Sequence, residues 1–361
     1  MTLGLFEPLP GDRLPSLSIV VAARDEADGV EAALASLLEQ DYPQFEVIFV
    51  NDRSSDATGP IADRLKLEHP HGDRLTVLHN AELPDGWLGK VHALHLGVRA
   101  SRNQSVLLTD GDVRYAPGAL RRALTAQQAL GADHLVVAPR FEVSGFWEPV
   151  LVAYFFVLFT ARFQPSTVHR KKDRFVGVGA FNLLTRACLE RLEYLEPLKL
   201  QVVDDLHLGL MAKARGQRQF ALLGQEELSV RWFFGLRGVV TGLEKNAYAG
   251  LNYHFPTAAA AAIVSAAPFW TIPLLGWAFG WKWALLWYLF QIALGGLAAL
   301  GTGVGAWTGL AFPLAGMILG YTMMRSAILA ETRRAIIWRG TRYPLARLRQ
   351  AHRDFVAKER L

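Results

Sequence analysis

The chain has 361 residues, with 38 Lys and Arg against 33 Asp and Glu, and 51% of its residues are hydrophobic. This length allows a domain of about 250 residues plus a further region, and the positive mean hydropathy of +0.18 indicates that the further region is apolar. Cys188 is the only cysteine, which excludes an intrachain disulfide and fits a reducing compartment. Residues 1–14 are polar and contain prolines, so no cleavable signal is predicted and the first 250 residues are expected to stay in the cytoplasm.

The N-terminal part alternates strand patterns with helical patterns. Four apolar runs have the length and composition of strands: residues 18–23, 45–50, 75–78 and 105–109. A helical pattern through residues 30–38 follows the first run, and another across residues 92–99 precedes the fourth. This alternation predicts an α/β fold with a mainly parallel sheet covered on both faces.

Acidic residues follow three of these strands. Asp25 and Glu26 come after the first, Asp52 after the second and Asp110 after the fourth. Ligands of parallel α/β sheets bind at the carboxyl ends of the strands, so one crevice is expected to gather these carboxylates.

Asp110 and Asp112 form the most informative pair. The glycine between them lets the backbone bend, so that both carboxylates can face one cation. Mg²⁺ and Mn²⁺ take oxygen ligands and are usually held by one or two carboxylates plus substrate phosphates. The pair predicts a divalent-cation site that carries a diphosphate, although an isolated Asp-x-Asp is also common in solvated turns.

Lys90 ends a loop, residues 83–90, that is too rich in glycine and proline to be helical. A lysine near a helix N-terminus can meet a phosphate, because the free amides and the dipole favour an anion there. The alternative is an exposed turn lysine. Further along, Gly177 and Gly179 in the segment 175–182 let the backbone approach either a sugar or another strand.

Asp204 and Asp205 stand at the start of a predicted helix. They can serve only to cap it and complement its dipole. A carboxylate near a metal-bound diphosphate that is not itself a ligand can instead act as a general base. Arg231 and Trp232 offer a forked phosphate contact and a flat wall for a sugar ring, or else an interfacial membrane anchor.

The hydrophobic region occupies residues 257–330. From residue 257 to 324 the only charged residue is Lys282. Breaks at residues 280–282 and 301–305 give three apolar runs of roughly 20 residues, the length that crosses a bilayer. Two to three spans are predicted, with the proline-containing first run as the candidate re-entrant segment.

The basic tail, residues 331–361, holds nine Lys and Arg against three Asp and Glu. Such a tail beside a membrane is expected on the cytoplasmic side, attracted to anionic lipid in preference to nucleic acid. Three full crossings would place it opposite the N-terminal 250 residues, so one run is expected not to cross. A shorter apolar segment within residues 150–163 predicts an interfacial helix, with a buried core helix as the alternative.

In this order, the motifs resemble those of membrane-bound family 2 glycosyltransferases of GT-A fold, particularly those associated with hopanoid, carotenoid and other lipid glycosylation. The resemblance covers about residues 16–250. It implies a cytoplasmic GT-A domain over residues 1–250 and a multi-pass protein of the inner, cytoplasmic membrane. It implies these donor-binding residues: Asp25, Glu26, Asp52, Lys90, Asp110, Arg231 and Trp232.

The resemblance also implies the chemistry. Asp110 and Asp112 would hold Mn²⁺ or Mg²⁺, and Asp205, in Val-Asp-Asp where the family often has Thr-Glu-Asp, would be the general base. The acceptor or sugar would meet a loop formed by Gly177, Gly179 and Asp204.

One position departs from the family pattern. Leu228 stands where the family's Gln-x-x-Arg-Trp motif has glutamine, so single transfer is expected instead of processive synthesis. The predicted function is inverting transfer from a nucleotide-sugar, with uridine favoured, to a lipid acceptor. The alternatives are transfer to a polyprenyl phosphate and a membrane-tethered nucleotide-sugar-binding protein without turnover.

Overall fold

The computed structural model describes residues 1–359, which fold into two compact units. The first unit comprises Met1–Arg140, Phe163–Val230 and the chain from Arg353 on, and the second comprises Phe141–Arg162 and Arg231–His352. Residues 141–162 and 231–250 therefore group with the hydrophobic helices, whereas the sequence pattern predicts one domain over residues 1–250.

The first unit is built on an eight-stranded sheet in the order β3-β2-β1-β4-β7-β6-β8-β5. Its strands are β1 (Leu17–Ala23), β2 (Phe45–Asp52), β3 (Leu75–Asn80), β4 (Ser105–Asp110), β5 (Val113–Tyr115), β6 (His134–Phe141), β7 (Asn182–Thr185) and β8 (Gln219–Val230). Strands β3, β2, β1 and β4 are mutually parallel, and β7 pairs antiparallel with both β4 and β6. The four predicted strands and the α/β class are confirmed.

Twelve α-helices and a β-hairpin complete the described chain. The helices are α1 (Val30–Leu38), α2 (Thr58–Glu68), α3 (Gly89–Ala100), α4 (Ala119–Leu130), α5 (Trp147–Phe163), α6 (Arg186–Arg191), α7 (Asp204–Ala214), α8 (Gly235–Gly250), α9 (Phe255–Phe279), α10 (Trp281–Thr302), α11 (Phe312–Arg333) and α12 (Leu345–Lys358). The hairpin consists of β9 (Ala335–Trp338) and β10 (Thr341–Pro344). Every residue of β1 is buried, as expected for a central strand covered on both faces.

The strand ends that carry acidic residues meet at one edge of the sheet. Ala22 of β1 lies opposite Val50 of β2 and opposite Asp110 of β4 in the parallel registers. Asp52 ends β2 and Asp25 follows β1, so these two aspartates and Asp110 lie at the same edge of the sheet. That they form one ligand crevice stays a prediction.

The second unit carries apolar helices. Within the described residues, four helical stretches are long and apolar enough to cross a membrane by length and composition: Trp147–Thr167, Phe255–Phe279, Trp281–Thr302 and Ala306–Arg333. The last three reproduce the predicted division of the hydrophobic region. The first of these three, α9, continues through both of its prolines, which argues against a re-entrant break there.

Helix α5 is longer than its apolar core predicts. The sequence pattern indicates a segment too short to span, but α5 and the turn after it extend over 21 residues, so the length argument is wrong. A single crossing is nevertheless excluded by the fold, because β4 before α5 pairs with β7 after it, with Ser105 opposite Thr185. One crossing would place two paired strands on opposite sides of the bilayer.

Candidate functional site

Lys90 connects the carboxylates at the sheet edge. It is the second residue of α3, and its Nζ lies 2.6 Å from Asp110 Oδ1 and 3.8 Å from Asp204 Oδ2. Burial lowers the pKa of Lys90, but three nearby aspartate charges, that of Asp110 first, outweigh burial and raise it. The side chain is therefore an ammonium ion at the centre of an acidic cluster, and not an exposed turn lysine.

Asp112 is close enough to Asp110 and Glu26 for their negative charges to act on it. Burial, followed by the negative charges of Asp110 and Glu26, raises the pKa of Asp112 to about 7. Gly111 is required between the two aspartates, because a Cβ there would lie 2.8 Å from the Cβ of Ala23. The carboxylates of Asp110 and Asp112 therefore repel each other, and a bound cation would offset this repulsion.

The donor set fits a hard divalent cation. Asp110 and Asp112 offer only carboxylate oxygens, the ligand type that Mg²⁺ and Mn²⁺ prefer. Among residues 1–359, no three His, Cys, Asp or Glu side chains cluster as a ligand set. At magnesium sites held by one or two carboxylates, substrate phosphates and water usually supply the remaining ligands.

Asp205 is oriented by backbone amides. Gly179 donates its N–H to Asp205 Oδ2 at 2.9 Å, and Leu206 donates to Oδ1 at 2.8 Å. Burial raises the pKa of Asp205, while the charge of Lys90 and the two N–H groups oppose this shift. The carboxylate is thus held in one orientation beside the Lys90–Asp110 ion pair.

Gly177 and Gly179 contact the elements that carry these aspartates. A Cβ on Gly177 would lie 1.7 Å from the backbone oxygen of Asp205, and one on Gly179 would lie 2.5 Å from Asp110 Oδ2. The sequence leaves a sugar or another strand as the partner of this segment. The structure brings its backbone against α7 and the Asp110 carboxylate, and a contact of this segment with the sugar stays a prediction.

Asp52 and Asp25 are fixed by local partners. Asp52 accepts hydrogen bonds from Arg53 Nε at 2.9 Å and from Asn80 Nδ2 at 2.7 Å, and only 3% of it is exposed. Asp25 Oδ1 accepts from the backbone N–H of Ser55 at 2.7 Å. Sequence reasoning missed Arg53 and Asn80. The only signal for Asn80 is its register opposite Asp52, which requires knowing that β2 and β3 are neighbours.

Arg231 and Trp232 belong to the second unit. Arg231 Nη2 donates to Ser144 Oγ at 2.8 Å and lies 3.8 Å from Glu148 Oε1. The Trp232 ring packs 4.4–5.2 Å, between centroids, from the rings of Phe141, Phe155 and Phe233. Their roles toward the diphosphate and the sugar stay predictions.

Comparison with known proteins gives a family. Residues 15–231 match the family profile described as "Glycosyltransferase like family 2". The chain is 30% identical over 168 residues to the polyprenol monophosphomannose synthase of Mycolicibacterium smegmatis, a match that spans 45% of this chain and 57% of that protein. It is also 30% identical over 151 residues to the beta-monoglucosyldiacylglycerol synthase of Synechocystis sp., spanning 39% and 30%. The chain therefore spans less than two thirds of the length of these curated relatives.

A solved structure shares the architecture. A mannosyltransferase from Pyrobaculum calidifontis, in complex with GDP-Man and Mn²⁺, has a TM-score of 0.56 and 21% sequence identity, with 91% of this chain and 89% of that chain covered. This likeness establishes the fold, which is the GT-A fold expected from the sequence.

Proposed function

Because the chain belongs to glycosyltransferase family 2, we propose that it transfers a single sugar, with inversion, from a nucleotide-sugar to a lipid acceptor at the membrane. The observation that carries this proposal is that two potential metal ligands and a separate potential base lie together at the same edge of the sheet. Asp110 and Asp112 suit a cation with a diphosphate, and Asp205 is a separate, oriented carboxylate beside them. Family membership disfavours a binding protein without turnover.

The donor would bind along the sheet edge. Asp25 or Glu26 and Asp52 would contact the nucleoside, for which uridine is favoured, and Lys90 would contact the ribose or diphosphate. A divalent cation held by Asp110 and Asp112 would neutralise negative charge on the departing diphosphate. Arg231 would add a forked contact to phosphate oxygens, and Trp232 a wall for the sugar, as the family resemblance implies.

Asp205 would accept the proton of the acceptor hydroxyl as this oxygen attacks the anomeric carbon. Its N–H partners fix the direction of the carboxylate, and proximity of this kind is a principal source of rate enhancement. An in-line displacement on an α-linked donor yields a β-glycoside. Leu228 in place of the family's glutamine supports one transfer per acceptor over processive synthesis.

A second acceptor class is transfer to a polyprenyl phosphate. The similarity to the mycobacterial polyprenol monophosphomannose synthase favours it, while the similarity to the cyanobacterial diacylglycerol-glycolipid synthase favours a hydroxyl acceptor. A phosphate acceptor is already anionic and needs little help from a base. The two classes therefore differ in their dependence on Asp205.

We propose that the protein resides in the cytoplasmic membrane with the first unit in the cytoplasm, where nucleotide-sugars are made. The four apolar helical stretches support membrane association. The basic residues of the tail support its placement on the cytoplasmic side, next to anionic lipid.

The decisive experiment measures nucleoside diphosphate release from a panel of UDP- and GDP-sugars by the detergent-purified protein, with lipid extract and with or without Mn²⁺ or Mg²⁺. Asp205→Asn should bind donor but lose transfer by about a hundred-fold or more, the usual effect of removing a positioned base. Asp73→Asn, which changes an exposed carboxylate of the same unit, is the control. Undiminished lipid glycosylation by Asp205→Asn would show that Asp205 is not the general base. Transfer by the wild type to polyprenyl phosphate alone would identify the second acceptor class.

A further inference from the structure

Three buried polar side chains on adjacent strands form a continuous hydrogen-bonded line. Gln219 on β8, His134 on β6 and Asn182 on β7 are each at most 3% exposed. Gln219 Nε2 lies 2.8 Å from His134 Nδ1, and His134 Nε2 lies 3.1 Å from Asn182 Oδ1. Burial lowers the pKa of His134 to about 4, so the ring is neutral and can accept at Nδ1 while it donates from Nε2.

Both ends of this line bind backbone groups of the residues that precede Asn182. Gln219 Oε1 accepts from the N–H of Val176 at 3.1 Å, and Gln219 Nε2 donates to the carbonyl of Val176 at 2.9 Å. Asn182 Nδ2 donates to the carbonyl of Val178 at 2.7 Å. Gln219 and Asn182 thus bind backbone groups of Val176 and Val178, which lie outside the strands, and fix the residues on both sides of Gly177.

The same junction includes helix α7. A Cβ on Gly209 of α7 would lie 2.0 Å from the carbonyl oxygen of Val176, and Gln219 Nε2 lies 3.4 Å from the carbonyl oxygen of Gly209. Segment and helix are therefore in backbone contact, with the Gln219 amide bonded to both. Three residues beyond Val176, Gly179 donates its N–H to Asp205 Oδ2.

We infer that Gln219, His134 and Asn182 are positioning residues for transfer, because they hold the segment 175–182 so that the Gly179 N–H orients Asp205. This inference rests on the proposed role of Asp205 as the base. Buried polar networks that are satisfied at every member specify a single arrangement, which an apolar core does less strictly. A displacement of about 1 Å at a reacting group can cost about a hundred-fold in rate.

The test replaces Gln219 by methionine, which removes the amide at similar volume. The matched control is Gln127→Met, which changes another buried glutamine that bonds Ser105 at the opposite end of β4 from Asp110. We expect Gln219→Met to lower kcat about ten-fold or more, to change the Kd for nucleoside diphosphate less than about three-fold, and to speed amide hydrogen exchange in peptides covering 175–182. Gln127→Met should leave all three unchanged even if both variants lose similar thermal stability.

His134→Gln provides a second variant if Gln219→Met does not fold. It keeps a donor toward Asn182 but loses the ring geometry at Gln219, so an intermediate loss of kcat is expected. Wild-type kcat in a folded Gln219→Met or His134→Gln protein, while Asp205→Asn is inactive, would overturn the inference and leave the proposed function intact. Full transfer by Asp205→Asn would instead remove the base, and the inference with it.

Discussion

Lys90 and Asp110 form a 2.6 Å ion pair that joins the start of α3 to the end of β4. Lys90 supplies a positive charge to a group of carboxylates that includes Asp110, Asp204 and Asp205. Like charges gathered at one site are unfavourable unless a counter-charge is present. Lys90 therefore balances the charge of these carboxylates. Its contact with an incoming phosphate stays a prediction.

Replacing Lys90 by methionine should reduce transfer by about a hundred-fold, the scale seen when one electrostatic donor is removed from an active site. The loss of its charge also raises the pKa of Asp205 further, because Lys90 opposes the effect of burial there. The acid limb of the rate profile should therefore move to higher pH. Lys66→Met on the exposed face of α2 is the control, and a Lys90→Met enzyme with the wild-type rate and profile would contradict this account.

Asp112→Asn should raise the Mn²⁺ concentration needed for half-maximal transfer by about ten-fold or more. The change removes one of the two carboxylates proposed to hold the cation, and metal sites are sensitive to the loss of a ligand charge. It also removes a charge that is unfavourable without a cation, so thermal stability in a chelator should not fall. An unchanged metal requirement would show that Asp112 is not a ligand.

Gly177→Ala should abolish transfer and lower the thermal midpoint of the purified protein. The added Cβ would lie 1.7 Å from the backbone oxygen of Asp205, so the segment or α7 must move. Gly250→Ala is the control, since a Cβ at Gly250 meets nothing within 4 Å and alanine is favourable within a helix. Equal effects of the two substitutions would count against the close packing of the segment on α7.

His134 should make the first unit sensitive to acid. Its pKa is about 4 in the folded protein against 6.5 for the free side chain, so the unfolded chain binds the proton first. Burial of the neutral His134 ring therefore leaves the free energy of unfolding unaffected above about pH 6.5. As the pH falls toward 4 this free energy decreases, by about 2 kcal/mol at about pH 5. Thermal unfolding at about pH 7.5 and 5 should show a smaller acid shift for His134→Gln than for the wild type. An equal shift would assign the acid sensitivity to other groups.

The sequence predicts the parallel half of the sheet well and the antiparallel half poorly. Strands β1, β2 and β4 are continuous apolar runs, because both of their faces are buried, and each is followed by acidic residues at the same edge. Strand β7 has four residues and begins with Asn182, whose side chain bonds His134 and Val178. No local pattern indicates such a strand, because its polar residue is satisfied only by partners from distant parts of the chain.

The site shows the same contrast. Asp110, Asp112 and Asp205 are identifiable because carboxylates after a strand or at a helix start form short motifs. Arg53 is adjacent to Asp52 yet carries no signal of its bidentate contact with it. The contact of Gly179 with Asp205 depends on how α7 packs, which spacing along the chain does not encode.

The chain leaves the first unit after β8 and returns to it at the end of α12, which restricts how many membrane crossings can lie between these two points. Helix α12 ends in the first unit, where the Phe355 ring lies 5.0 Å from that of His207 and Lys358 Nζ lies 2.9 Å from Glu193 Oε1. Because one compact unit would lie on one side of a bilayer, the proposed membrane placement requires α9, α10 and α11 together to cross an even number of times. At least one of these three helices would then not cross, although each is long enough.

Single-cysteine labelling in intact and permeabilised cells tests this topology. The native Cys188 is buried and burial raises its pKa to about 12, so its reaction with a maleimide should be negligible. Cysteines at the exposed positions Glu68 and Ala346 should both be protected from an impermeant reagent until the cells are opened. Lys282→Cys and Ala306→Cys, at the two turns between the apolar helices, then identify which helix remains on one side. Labelling of Glu68→Cys and Ala346→Cys from opposite sides would contradict the contacts of Phe355 and Lys358 with the first unit, since a chain that returns to the unit it left cannot have crossed an odd number of times.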